Sequence, residues 1–173
     1  MSVANATLAY LKAQAPGRLK RLEKVAREFQ RTFSDKDLDL LKDHLSKKIG
    51  EALKEFGSWT LRMVTADEIS IVWERHGSIV YHNAYLNLTI AKSEKHGAGF
   101  GFKDAEGLLN HLKKGLDTSA PWTSMKAAAD RFLEELEQVA NAVAEILEGV
   151  LEGYLNDPQR KEMERYAAMD ALN

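Results

Sequence analysis

Cysteine is absent from the 173 residues of this chain. That single absence removes disulfides, thiolate nucleophiles and cysteine-bound zinc or iron–sulfur centres together. Missing too is any run approaching the ~18 apolar residues that a membrane span needs. Residues 1–10 lack the basic start and apolar stretch of a secretory leader. Charge of one sign is not in excess, since the formal net charge is −2. There is therefore no global basic field to draw the chain onto nucleic acid or anionic lipid. No internal repeat, low-complexity tract or linker interrupts the sequence. Catalytic signatures are wanting as well: there is no G-x-S-x-G elbow, and His44, His76, His82, His96 and His111 form neither an HxxxH nor an HxH pair. These absences lead us to expect a cytoplasmic chain with no cofactor, no metal, no membrane and no evident catalytic residue.

What is present is a well-patterned globular sequence, 45% apolar and 29% charged. A chain of this length buries roughly 70% of the surface it would expose unfolded. Its clearest feature is the ladder Met125, Ala129, Phe132, Leu136, Val139, Val143, Ile146, Val150, stepping by four and three. That is the seam of a long amphipathic helix over about 122–155. Leu133, Ala140 and Leu147 add a second ridge, wider than a two-stranded coiled-coil seam and suited to a core or a multi-helix contact. Such a rod is about 50 Å long, against a domain diameter of roughly 40 Å. Either it packs against the chain's own helices, or its C-terminal part meets a second copy or another protein.

The remainder reads as a single α+β domain over 1–173, with an antiparallel four- to five-stranded meander (about 58–103) flanked by N-terminal helices and the long C-terminal helix. Residues 3–14 suit a short helix that Pro16-Gly17 stops. Leu19, Leu22, Ala26, Phe29 and Phe33 define a second helix. Ser34 caps a third, which carries Leu38, Leu41, Leu45, Ile49, Leu53 and Phe56 and ends at Gly57. The period then changes to two: Trp59, Leu61, Met63, then Ile69, Ile71, Trp73, with turns at 66–68 and 76–78. Ile79 and Tyr81 fall out of phase with Leu86, Leu88 and Ile90, so a bulge or break is expected near His82-Asn83. A last strand covers 98–103. Asp104 caps a helix bearing Leu108, Leu109 and Leu112, and Asn156-Asp157-Pro158 breaks the long one.

Charge is unevenly spread. Residues 1–33 hold seven basic and two acidic side chains, +5; residues 117–157 hold two basic and nine acidic ones, −7. Pairing of these helices within one fold is the simple reading. Presentation of Arg18, Lys20, Arg21, Lys24, Arg27 and Arg31 to nucleic acid is the other, and it needs them free of the acidic helix. Gly149 and Gly153 share a helix face at a cost of about 1 kcal/mol each relative to alanine. They mark either close approach by a neighbouring backbone or a kink or early end.

Three stretches could form sites. In the sheet, Trp73, Tyr81, Asn83, Tyr85 and Asn87 make a mixed aromatic and polar strip of the kind found on protein-recognition surfaces. The Gly97–Gly101 strand, bare of side chains on one side and leading to a helix start, could admit a phosphate or small ligand with Lys95 and His96 or His82, although Asp104 would repel an anion. Gly99-Phe100-Gly101-Phe102 resembles the centre of the RNP1 strand of RRM domains, in which aromatic residues stack bases. It departs from that family in lacking a preceding βαβ unit, in having Lys103 where an aliphatic residue is usual, and in having no strand between the following helix and Pro121. The resemblance would add Phe100 and Phe102 to a nucleic-acid surface. The expectation we carry forward is a non-enzymatic protein-interaction module, a regulator, inhibitor or adaptor with a protein partner, and with the C-terminal helix as the candidate homodimer contact. Nucleic-acid binding through the basic helices, and a ligand-binding enzyme built on the glycine strand, are the alternatives.

Overall fold

The computed structural model describes residues 2–65, 67–74, 84–91, 98–101, 104–114, 116 and 121–157. Helices α1 (Val3–Arg18), α2 (Lys20–Thr32) and α3 (Asp35–Leu53) come first, and a 3₁₀ turn, Lys54–Phe56, extends the third. Strands β1 (Trp59–Val64), β2 (Glu68–Glu74), β3 (Ala84–Ala91) and β4 (Ala98–Gly101) follow, then α4 (Ala105–Lys113) and α5 (Trp122–Leu155). The class is α+β with an antiparallel sheet and a long C-terminal helix. Neighbours in sequence are neighbours in the sheet, in the order β1-β2-β3-β4.

Local chemistry accounts for most boundaries. At the start of α3 the Asp37 N–H donates to Ser34 Oγ at 3.3 Å, while the Ser34 N–H donates to Asp37 Oδ2 at 3.1 Å. This reciprocal pair satisfies two of the donors that a helix start leaves open. Gly57 adopts φ +74°, a positive angle that glycine takes without a Cβ penalty. Asp104 accepts from the Gly107 N–H at 2.7 Å and starts α4. Thr65 Oγ1 accepts from the Glu68 N–H at 3.0 Å and closes the β1–β2 turn.

The N-terminal helix does not stop before Pro16, as its sequence suggests. Proline has no N–H to donate to Lys12, but the loss falls in the last turn, where the Leu19 N–H donates to the Pro16 carbonyl at 3.2 Å. Ala15 and Leu19 on either side are fully buried. Burial of that turn outweighs the local breaker, and helix runs on to Arg18.

Two bulges shape the sheet. Arg62 is the extra residue of β1 between Leu61 and Met63, and Tyr85 the extra residue of β3 between Ala84 and Leu86. The bulge or break expected near His82-Asn83, between the phases of Ile79-Tyr81 and Leu86, falls outside the described residues. After Tyr85, Leu88 and Ile90 point into the core with Ile69 and Ile71.

The core joins the sheet's inner face to α5. Phe132 stands between Trp59 and Trp73, with ring centroids 6.2 and 5.2 Å away, and the two tryptophans are 6.3 Å apart. Both ridges of α5 are used: Phe132, Leu136, Val139 and Val143 from the first, Leu133, Ala140 and Leu147 from the second, all buried. Helices α1, α2, α3 and α4 pack along it. A rod of this width is thus covered mainly by its own chain. No helix among the described residues is long and apolar enough to cross a membrane.

Candidate interaction groove

Helices α3 and α5 run antiparallel. Phe33, just before α3, meets Tyr154 near the end of α5 at 4.9 Å between ring centroids, whereas Trp59, just after α3, meets Phe132. Between these anchors α3 turns Leu38, Leu45, Ile49 and Leu53 inward and leaves Leu41 and Ala52 half-buried at its side. On α5 the ladder is fully covered as far as Val143, but Ile146 and Val150 remain half-buried. The result is an open groove of about 840 Å³. Leu41, Ala52, Ala142, Ile146 and Val150 give it apolar walls, and Gly149 and Gly153 line it as well.

The glycines decide its character. A Cβ at either position would meet nothing within 4 Å. Helix α5 passes through both to Leu155, so they do not mark an early end. They keep the α5 side of the groove low at a cost in helix propensity of about 1 kcal/mol each, and no described part of this chain packs on them. The rims differ in charge. Exposed His44 and Lys48 stand on the α3 side, with Glu55 at its far end; exposed Glu145 and Asp157 stand on the α5 side. Tyr154, which also lines the groove, is 36% exposed; beyond it, Leu155 is 47% exposed and Leu40 on α3 is 82% exposed.

The basic N-terminal residues are in part tied to α5. Arg18 bonds Glu137 at 2.9 Å, and Arg21 grips Glu148 with two bonds of 2.8 and 3.1 Å. The hydrogen bonds from Arg21 hold the Glu148 carboxyl below its usual range, and the pairing raises the guanidinium in turn. Tyr10 donates a short hydrogen bond to Asp130, which Lys126 also approaches at 3.2 Å, and these bonds, Tyr10's above all, lower the Asp130 pKa. Arg27 lies 3.8 Å from Glu23 on its own helix. Lys20, Lys24 and Arg31 are exposed. The two charge blocks of the sequence therefore meet inside one fold, and Arg18 and Arg21 are not free of the acidic helix.

The sheet strip is different from its expected form. Trp73 is 3% exposed, with His111 edge-on at 4.8 Å, and is a core residue and not part of a recognition surface. The reason is that β2 is covered on both faces: Ser70 and Val72, which alternate with Ile71 and Trp73, are buried too. Asn87 pairs with Val72 and Gly101, Tyr85 sits at the bulge, and Phe100 pairs with Leu88. Tyr81, Asn83, Phe102, Lys95, His96, Gly97 and His82 lie outside the described residues, so the strip, the aromatic strand and the glycine-strand ligand site are not assembled here. Among the described residues, no three His, Cys, Asp or Glu side chains gather closely enough to hold a metal ion. His111 is lowered in pKa by burial and, secondarily, by Lys114; burial raises Glu135.

Sequence reasoning singled out Gly149 and Gly153 on the α5 side, with close backbone approach and a kink or early end as its two alternatives. It missed the α3 half, because Leu41, His44 and Lys48 read as an ordinary amphipathic helix until α5 is beside them. Comparison with protein-family models, curated proteins and solved structures gives no match.

Proposed function

We propose that the chain is a non-enzymatic protein-interaction module, a regulator, inhibitor or adaptor, that holds an amphipathic helix of a partner protein in the α3–α5 groove. The observation that carries this reading is the open pair Gly149 and Gly153, kept in a 34-residue helix whose other face is buried. Helix-in-groove recognition uses apolar anchors spaced i, i+3 or i+4, and i+7. The groove offers apolar walls for them and room at the glycines for close backbone approach. Its rims specify the flanks: basic residues toward Glu145 and Asp157, acidic ones toward His44 and Lys48. Nucleic-acid binding is less well supported, since two of the six basic residues it needs are engaged with α5 carboxylates.

The test is site-specific photo-crosslinking in the native host, with the reactive group at Lys48 or Glu145 and a control at exposed Asn110 on α4. Groove positions should capture a partner segment bearing the apolar stripe and both flanks, and the Gly149→Leu/Gly153→Leu double variant should abolish capture. Capture no stronger than at Asn110, or capture of a second copy of this chain alone, overturns the proposal.

A further inference from the structure

Helix α3 has a second open side, where it meets the sheet. We propose that the trough between α3 and the free edge of β1 is a docking site for an extended segment of a partner protein, which joins the sheet as a strand antiparallel to β1. The site is separate from the α3–α5 groove and does not depend on it. Strand β1 ends the sheet, so one of its two sides has no strand beside it. Helix α3 packs against β1 without comparable contact to β2, and so runs along the edge and not over the sheet. Two hollows of about 420 and 350 Å³ lie between them and share Ser46 and Leu61. Leu61 through Thr65 all line the larger, and Trp59 through Leu61 the smaller. A hollow on a sheet face touches alternate residues; contact with consecutive ones places this trough at the backbone edge.

The Thr65 N–H donates to the Glu68 carbonyl at 2.8 Å, and that sets the phase of the ladder. By alternation Ser70 and Val72 bond toward β1, while Leu61, opposite Ile71, and Val64, opposite Ile69, turn their N–H and C=O to the trough. Among the described residues no further backbone hydrogen bond reaches Leu61 or Val64. The sheet's other edge is treated differently: β4 has only four residues and α1 packs against it, two common ways of blunting an edge. The α3 wall suits a strand. Lys42, Ser46, Gly50 and Lys54 follow one another at i+4 and form its ridge, about 18 Å long, against about 20 Å for the six residues of β1. The ridge is lowest at its middle, where a Cβ on Gly50 would meet nothing within 4 Å. Exposed Asp39 stands at the Val64 end and exposed Lys54 at the Trp59 end. An antiparallel strand brings its amino end to Asp39 and its carboxyl end to Lys54, so a basic residue at the first and an acidic one at the second complement the trough. Strand addition draws affinity from main-chain hydrogen bonds and specificity from such side-chain contacts. With α3 alongside, there is room for one strand; a second copy, whose β1 is flanked by its own α3, does not fit edge to edge.

The probe is a display library of random decapeptides selected on the full chain. Enriched peptides should carry a proline-free extended centre with a basic residue toward the amino end and an acidic one toward the carboxyl end. N-methylation of a selected peptide at alternate amides should weaken binding at least about tenfold, with the intervening amides nearly indifferent. Val64→Pro removes an N–H that β2 does not use and should weaken binding at least about tenfold. Gly50→Leu fills the trough from α3 while raising helix propensity and should do the same; it decides the matter if Val64→Pro does not fold. The Gly149→Leu/Gly153→Leu variant should bind these peptides unchanged. Failure to enrich peptides, N-methylation effects without alternation, binding unmoved by Gly50→Leu, or self-association of the chain that Val64→Pro abolishes would each overturn the proposal. Capture in the α3–α5 groove without peptide pairing on β1 would leave the interaction reading standing and sink this one. Peptide pairing without groove capture would do the reverse.

Discussion

Phe132 is the residue on which the sheet and the long helix depend most directly. It is buried against both Trp59 and Trp73, and Trp73 in turn carries His111 edge-on. Replacing it with alanine removes the ring and leaves a cavity that two large, fixed indoles cannot collapse to fill. Phe→Ala changes at such sites cost about 3–5 kcal/mol, and loss of the paired aromatic geometry places Phe132→Ala toward the upper end of that range. At about 2–4 °C per kcal/mol for a domain of this size, the melting temperature should fall by roughly 6–20 °C. Phe132→Leu keeps most of the volume and should cost about 1–1.5 kcal/mol. Urea titration followed by tryptophan fluorescence and by far-ultraviolet circular dichroism measures both variants, and the two signals should move together because the same side chain joins helix to strands. A loss below about 1.5 kcal/mol for Phe132→Ala, or a fluorescence transition that shifts while the helical one stays in place, would refute the coupling.

Other expectations follow from single contacts. Ser34→Ala removes the reciprocal cap of α3 and should lower stability by about 1 kcal/mol, read as a drop in urea midpoint at constant slope. His111 has a folded pKa below its ordinary value of 6.5, so its neutral form is the one the fold favours; stability should be full above about pH 6.5 and decline as pH falls through the folded pKa, and His111→Gln should flatten that part of the profile. The Arg21–Glu148 pair is exposed, so a double-mutant cycle should give a small coupling that salt abolishes. Since Glu148 is held below its usual range, that coupling is present above the unfolded carboxylate pKa and disappears as pH drops through the folded one. A coupling indifferent to both salt and acid would contradict the geometry.

Those features that sit within one turn or one period of the chain could be read directly. The α5 ladder, the Ser34 and Asp104 caps and the positive-φ Gly57 are each set by neighbours a few residues away, and all are found where the residues place them. Pro16 was misleading because its local effect competes with burial of Ala15 and Leu19 on a partner helix more than a hundred residues distant. Trp73 was misleading for a related reason: alternation shows that a strand has two faces, but not that both are covered, as Ser70 and Val72 establish. The groove lies at the far end of this scale. Half of it is α3, half α5, and the difference between a covered ladder residue such as Val143 and a half-covered one such as Val150 arises from tertiary packing that the ladder itself does not encode.

Helix α1 lies on α5, with Tyr10 bonded to Asp130 and Arg18 to Glu137. Helix α1 thus waits for a helix more than a hundred residues further along the chain. At synthesis rates of about 5–20 residues per second, Leu11, Ala15 and Leu19 emerge roughly 5–20 s before the surface that shelters them. Nascent chains stalled short of Met125 should therefore be held by chaperones or attacked by proteases within α1, and chains long enough to expose all of α5 should be protected there.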